Sequence, residues 1–429
     1  MNIQAQKGTG KMAMKTRLRI MNFFQFFIWG SWLVTLGSYM INTLHFTGAQ
    51  VGIVYSSKGL AAIIMPSLAG IIADRWIKAN RLYGIFHVLG AISLFIAAHI
   101  SDPMTMFWVI FFNSLVYMPT SALTNVISYV ALEKAGLDTV KDFPPIRVFG
   151  TIGFIIAMWV VSLSGFELSN IQLYIAASIS LLLALYSLTL PDCPTSNEKR
   201  EKSWISLLGL DAFVLFKQKR MVIFFLFSTL LGVALQITNT FGNPFLHDFG
   251  LNPEFKDSLV VQYPSILLSV SQIAEVCFIL AIPFFLRNFG IKKVMLISMV
   301  AWTLRFLFFA YGNPSGMGFT FLLLSMIVYG CAFDFFNVSG AIFVEKEVDP
   351  RIRASAQGLF LAMVDGIGAY VGAIASGKVV DYFTVDGVKD WQSIWLTFGA
   401  YTLVLAIVFA VSFKYKHDRD AMKEVSTGH

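Results

Sequence analysis

Long apolar stretches alternate along the chain with short polar connections. Twelve of these stretches are long enough to cross a bilayer as helices, which takes roughly 20 mostly apolar residues. The longest polar connection follows the sixth stretch. The pattern predicts an all-α membrane protein of twelve transmembrane helices in two six-helix halves, with an N-terminal half at 1–190, a cytoplasmic linker at 191–219 and a C-terminal half with a short cytoplasmic tail at 220–429. The stretches lie at 18–41, 49–73, 81–100, 104–131, 144–166, 169–190, 220–243, 262–286, 291–311, 316–344, 354–377 and 391–413.

Composition and the placement of charge support the membrane assignment. Charged residues make up 13% of the chain, against about 25% in soluble domains. The formal net charge of +7 does not indicate nucleic-acid binding, because 26 of the 32 Lys and Arg residues fall in alternate connections and at the two ends. The intervening connections hold only Lys256, Lys378 and Lys389. This asymmetry predicts that both termini are cytoplasmic.

Enzymatic and sensory functions find little support in the residues. Three cysteines are too few for a disulfide framework. We find no cluster with metal-ligand spacing and no arrangement of a nucleophile with a base. Because the connections are short, we expect no attached sensor domain. Because such clusters and arrangements are missing from the sequence, we expect neither a metal site nor enzymatic activity.

Two acidic residues lie inside apolar stretches. Asp334 is the one acid, with no basic residue, in the run 317–343, and a carboxylate at that depth costs on the order of 3 kcal/mol or more. Glu275 lies in the stretch 262–286. Packing alone does not explain two such acids, so we predict that they serve proton coupling, binding and releasing a proton as access alternates.

Amide and aromatic side chains recur at helical spacing in the same part of the chain. Gln236 and Asn239 share one face of a stretch, and Gln272 lies three residues before the acid of another. Tyr329 and Phe333 are one turn apart. Amides can bond the edge of a base or a ribose, and rings can stack on a base. The alternative is that the amides bond neighbouring helices, gaining about 0.6 kcal/mol each, and that the rings only pack.

The residues alone therefore indicate a proton-linked or facilitated carrier of a polar small molecule. Short motifs add a resemblance. Residues 70–75, Gly-Ile-Ile-Ala-Asp-Arg, resemble the loop signature of the major facilitator superfamily, although its later basic part is not matched. Residues 29–39, 143–147 and 329–337 resemble the nucleoside:proton symporters, a bacterial family within that superfamily.

The resemblance implies proton-coupled uptake of nucleosides, xanthosine included, across the bacterial inner membrane by alternating access. It implies protons as the coupling ion and no cofactor. The expected partners are the nucleoside substrate, protons and membrane lipid, not nucleic acid, and we expect a monomer. A proton-independent facilitator of nucleosides, or of another polar solute, is the alternative.

The resemblance also implies site residues. The acidic positions of the family fall on Glu275 and Asp334, implicated in coupling or binding. Two members of the substrate pocket, in the stretch 144–166, depend mainly on the resemblance. The pocket carried onto matching positions here consists of Arg147, Thr151, Gln236, Asn239, Gln272, Tyr329 and Phe333.

Three further charges lie within the stretches. Lys58 lies in the stretch 49–73, and Asp365, where a close relative is expected to have Asn, lies in the stretch 354–377. We hypothesise an ion pair between the halves that closes the outer side, because neither charge is stable alone at that depth. The alternative is that each contacts water separately. Arg305 is expected to extend to the lipid headgroups.

Overall fold

The computed structural model describes residues 3–193 and 209–415, and these are almost entirely helical. Within them one short antiparallel hairpin pairs β1 (Thr384–Val385) with β2 (Val388–Lys389). Most of the predicted linker, 194–208, and the tail from 416 lie outside the described residues. The principal helices are α1 Ile3–Gly30, α2 Gly48–Arg75, α3 Ala79–Ala97, α4 Pro103–Lys134, α5 Thr139–Leu163, α6 Ile171–Ser187, α7 Lys219–Asp248, α8 Pro264–Tyr311, α9 Gly316–Glu347, α10 Arg353–Leu361, α11 Ala369–Tyr382 and α12 Trp391–Ser412.

Shorter helical turns complete the path. The turn at Ala362–Gly368 has π geometry and joins α10 to α11 as one apolar segment. Such π turns interrupt the regular ladder and recur at functional sites, and this one carries Asp365. The other short turns are Leu36–Ser38, Tyr39–Thr43, Leu210–Lys217, Phe249–Leu251 and Leu259–Gln262.

Each predicted apolar stretch lies in or across helices of the structure. The stretches 262–286 and 291–311 both fall in α8, which is interrupted at Gly290 with φ 77° and ψ 167°. That backbone conformation is essentially restricted to glycine, so the chain changes direction there. Eight helices among the described residues are long and apolar enough to span a membrane. A helical multi-pass protein is therefore confirmed, whereas the count of twelve spans stays a prediction.

Several helices begin where an aspartate accepts the first free backbone amides. Asp102 accepts from the amide of Thr105 at 2.7 Å before α4, and Asp390 accepts from the amide of Ser393 at 3.1 Å before α12. The Thr105 hydroxyl and amide hold the pKa of Asp102 below its ordinary value, because both bonds favour the ionised carboxyl. These caps lie in the polar connections and define where the apolar helices start.

The described chain divides into two compact units. Unit one contains residues 3–46 and 60–193, and unit two contains residues 47–59 and 209–415. The first twelve residues of α2 therefore belong with unit two and the remainder with unit one. The predicted division into halves at 190 and 220 stays a prediction.

Unit one is held together by a close crossing of α1 and α5. A Cβ on Gly153 would lie 2.1 Å from the carbonyl oxygen of Phe23, and one on Gly30 would lie 2.4 Å from that of Phe154. Only glycine permits this approach, since real Cβ atoms do not come so near. The crossing brings the polar side chains of α1 within bonding distance of the neighbouring helices.

Unit two contains similar crossings. A Cβ on Gly232 would lie 2.1 Å from the carbonyl oxygen of Val364, so α7 runs directly against the π turn. The start of α2 lies against α11 in the same way, and Asp381 caps it by accepting the amides of Gly48 and Ala49 at 2.6 and 2.8 Å. The helix N-terminus stabilises this carboxylate.

Candidate functional site

Helices α7 and α8 present amides whose bonding differs. Gln236 is 1% exposed and donates to the Thr240 hydroxyl at 3.0 Å. Asn239 and Gln272 are half-buried, and neither side chain bonds a described residue. Polar groups inside a protein are normally paired, so these two amides remain available for a ligand or water.

The amide of Asn243 has a different part in the structure. It donates to the Ser265 hydroxyl at 3.1 Å and so ties α7 to α8. Asn243 follows the same helical spacing as the two amides before it. Its partner could be found only from the tertiary structure.

The aromatic side chains of α9 separate into two groups. The rings of Tyr329 and Phe333 are parallel, with centroids 5.8 Å apart and an interplanar angle of 1°. We call this pair the aromatic shelf. Trp302 meets Tyr329 edge-on at 5.9 Å. Phe336, one turn beyond, is instead buried against Phe224 and belongs to the core.

The two acids predicted to serve proton coupling both lie in unit two and interact electrostatically. Asp334 is 4% exposed, and its Oδ2 bonds no described residue. Glu275, half-buried on α8, lies within electrostatic range of Asp334, and both act on Tyr329. The structure therefore places both acids beside the aromatic shelf. Among the described residues no group of three or more His, Cys, Asp or Glu is arranged to hold a metal ion.

Arg305 does not extend to the headgroups, and that expectation was wrong. Its side chain is 3% exposed. It donates to the Ser325 carbonyl at 2.7 Å and to the Ser271 hydroxyl at 3.4 Å. Its guanidinium lies 4.5 Å from the centre of the Tyr329 ring. The two serines that accept its hydrogen bonds, Ser271 and Ser325, lie in other apolar stretches. Residue spacing within the stretch of Arg305 therefore could not indicate that the side chain is buried.

Lys58 and Asp365 both belong to unit two. Lys58 is 8% exposed and Asp365, on the π turn, is exposed. Their charges interact. The structure thus brings the two side chains into electrostatic range, while the predicted role in closing the outer side stays a prediction.

Unit one contains the two site residues that depend on the resemblance. Arg147 is half-buried on α5, with its guanidinium 4.1 Å from the centre of the Phe26 ring. Thr151, one turn later, is half-buried, and its hydroxyl bonds no described residue. A hydroxyl in a helix usually bonds the preceding turn, so Thr151 also keeps free bonding capacity.

A buried hydrogen-bond network around Gln25 was not predicted. Its amide donates to Thr120 at 2.7 Å, and its side-chain oxygen accepts from Tyr83 at 2.8 Å. His87 Nε2 lies 3.0 Å from the same oxygen. These contacts join α1, α3 and α4, which no single stretch of sequence could indicate.

Comparison with known proteins identifies relatives along almost the whole chain. Residues 12–418 match the family model described as "Nucleoside H+ symporter". The chain is 66% identical to the xanthosine permease of Escherichia coli K12, covering 97% of this chain and all of that one. It is 60% identical to the nucleoside permease NupG of the same organism, covering 95% of this chain and 98% of that one.

Solved structures agree with these relatives. The crystal structure of the nucleoside transporter NupG superposes with a TM-score of 0.90 at 60% identity, covering 94% of this chain and all of that one. A bacterial homologue of the lysosomal transporter Spinster superposes with a TM-score of 0.67 at 14% identity, covering 94% of this chain and 96% of that one. The second likeness shows the fold alone.

Proposed function

The chain belongs to the nucleoside H+ symporter family, whose members are multi-pass transporters of the bacterial inner membrane, and from this premise we propose that it takes up xanthosine and other nucleosides together with a proton. In this proposal the carrier is a monomer of twelve spans in two six-helix halves. A cytoplasmic linker joins the halves, both termini are cytoplasmic, and access to the substrate site alternates between the two sides.

One observation carries the proposal: the side chains of Asn239, Gln272 and Asp334 lie in apolar helices without a hydrogen-bond partner among the described residues. Two of the unpaired atoms, Gln272 Oε1 and Asp334 Oδ2, are fully buried, and a buried polar atom left unpaired costs about 1–3 kcal/mol. A polar substrate that bonds these groups recovers that cost. A nucleoside has the required donors and acceptors on its base and ribose.

The substrate site is assigned to residues from both predicted halves. The aromatic shelf stacks on the base, and Gln236, Asn239 and Gln272 bond base edges or ribose hydroxyls. On the resemblance alone, we also assign Arg147 and Thr151 to substrate binding.

Glu275 and Asp334 form the proton site. Two carboxylates that interact across apolar helices repel each other when both are ionised. Protonation of the pair removes a negative charge from these apolar helices. We further propose that Lys58 and Asp365 neutralise each other's charge when the outer side of the carrier is closed. The first turns of α2, which carry Lys58, lie against α11.

Purified protein in liposomes tests the function. Uptake of xanthosine, uridine and adenosine is measured under an inward proton gradient, with and without an uncoupler. Uphill accumulation should collapse with the uncoupler. Flux that reaches equilibrium but never exceeds it, and is unaffected by the uncoupler, would instead establish a facilitator.

A further inference from the structure

Arg305 is a buried cation whose solvation is unusual. No carboxylate of the described residues lies within ion-pair distance of it. Its contacts are one backbone carbonyl, one hydroxyl and the faces of two rings, Tyr329 at 4.5 Å and Phe309 at 5.0 Å. Its Nε has no partner among the described residues. A guanidinium is always charged, so these contacts must replace its water.

The two rings that contact Arg305 differ in their surroundings. Phe309 is 1% exposed and lies in the core of unit two. Tyr329 instead contacts both the guanidinium of Arg305, over its ring face, and the ring of Phe333 in the aromatic shelf. Arg305 and Phe333 therefore both contact the Tyr329 ring.

The geometry points to Arg305 as a positioning residue for nucleobase binding, acting through the aromatic shelf. This inference rests on the proposed function. The cation holds the Tyr329 ring by attraction to its π face, an attraction that is strongest when both groups are desolvated. A fixed ring presents a prepared stacking surface, so the base does not have to order it on binding.

Acidic groups also act on the Tyr329 hydroxyl. Glu275 and Asp334 both act on the same tyrosine. The attraction of the cation for the ring face opposes any turn of the ring toward these acids. Arg305 thus separates the stacking function of Tyr329 from the proton site.

The test measures the affinity of purified protein in detergent for xanthosine and uridine by calorimetry. Arg305→Gln retains a donor for the Ser325 carbonyl but removes the cation, and we expect affinity to fall about five- to thirty-fold. The loss should be larger for the purine, which has more ring area to stack. Arg305→Lys keeps the charge and should recover part of the affinity.

A double mutant separates positioning from a general structural effect. In a Tyr329→Leu background the ring on which Arg305 acts is removed, so adding Arg305→Gln should change affinity less than about two-fold. The same full loss in both backgrounds, no loss in Arg305→Gln, or no rescue by lysine would overturn the inference. Arg220, which is exposed and lies 5.9 Å from the Tyr415 ring, supplies the control Arg220→Gln, with unchanged affinity expected.

Two outcomes are kept distinct by design. If the wild-type protein binds neither nucleoside, the result contradicts the proposed function. A wild-type protein that binds nucleoside, with unchanged affinity in Arg305→Gln, contradicts only the role of Arg305. If Arg305→Gln does not yield a monodisperse protein, Ser271→Ala and Phe309→Leu each remove one support of the cation. Both should then weaken xanthosine binding at least about two-fold, and unchanged affinity in both overturns the inference.

Discussion

Replacing Asp334 by asparagine removes the protonatable group that lies beside the aromatic shelf while keeping the size of the side chain. Asp334 is 4% exposed and its Oδ2 has no partner among the described residues, so the substitution breaks no hydrogen bond of that atom. The amide resembles the protonated acid and cannot release a proton. The variant should bind nucleoside and exchange it across the membrane but should not couple that exchange to the proton gradient.

The size of the effect follows from the proton gradient. One proton per nucleoside across a pH step of about 1.5 units allows an accumulation ratio of about 30, since each unit is worth about 1.4 kcal/mol. Without coupling the ratio is about 1. Liposomes with an imposed pH step measure uphill uptake of labelled nucleoside, and counterflow at equal pH measures exchange.

The control lies on the same helix. Glu345 is 56% exposed and pairs with Arg353 at 2.8 Å, so Glu345→Gln should accumulate like the wild type. Uphill uptake above about ten-fold in Asp334→Asn would refute the coupling role. Loss of counterflow together with accumulation would show that Asp334 is needed for binding or folding rather than coupling.

Two further predictions follow from the same contacts. Gln272→Ala should weaken nucleoside affinity by about 1 kcal/mol without lowering the melting temperature, because this amide bonds no described residue. Asn243→Ala should lower the melting temperature, because its hydrogen bond joins two helices. A lower melting temperature in Gln272→Ala, with unchanged affinity, would contradict the assignment of Gln272 to the site. Lys58→Met and Asp365→Asn should each destabilise the protein, and the double variant should recover about 1–3 kcal/mol of the summed loss, as measured by thermal unfolding in detergent. Simple additivity of the two losses would show that the charges do not act as a pair.

Family membership and function were predicted correctly from local strings of sequence, and the helical, multi-pass character from the lengths of the apolar stretches. Both properties depend on residues that are neighbours in the sequence, so no tertiary contact is needed to predict them. The acids were also conspicuous, because a charge inside an apolar run is visible without a structure. The roles of the eleven predicted site residues stay predictions, although unit two brings Gln236, Asn239, Gln272 and the aromatic shelf onto neighbouring helices with both acids.

The sequence by itself determined which segments are helical and which polar groups lie within them. The tertiary structure decided which of those groups have partners. Asn243 is bonded and Asn239 is free although they share one helix, and Arg305 turns inward to Tyr329 instead of outward to lipid. The physical reason is distance: hydrogen bonds and ring contacts depend on a few ångströms between helices, and glycine crossings such as that of Gly232 with the π turn set those distances.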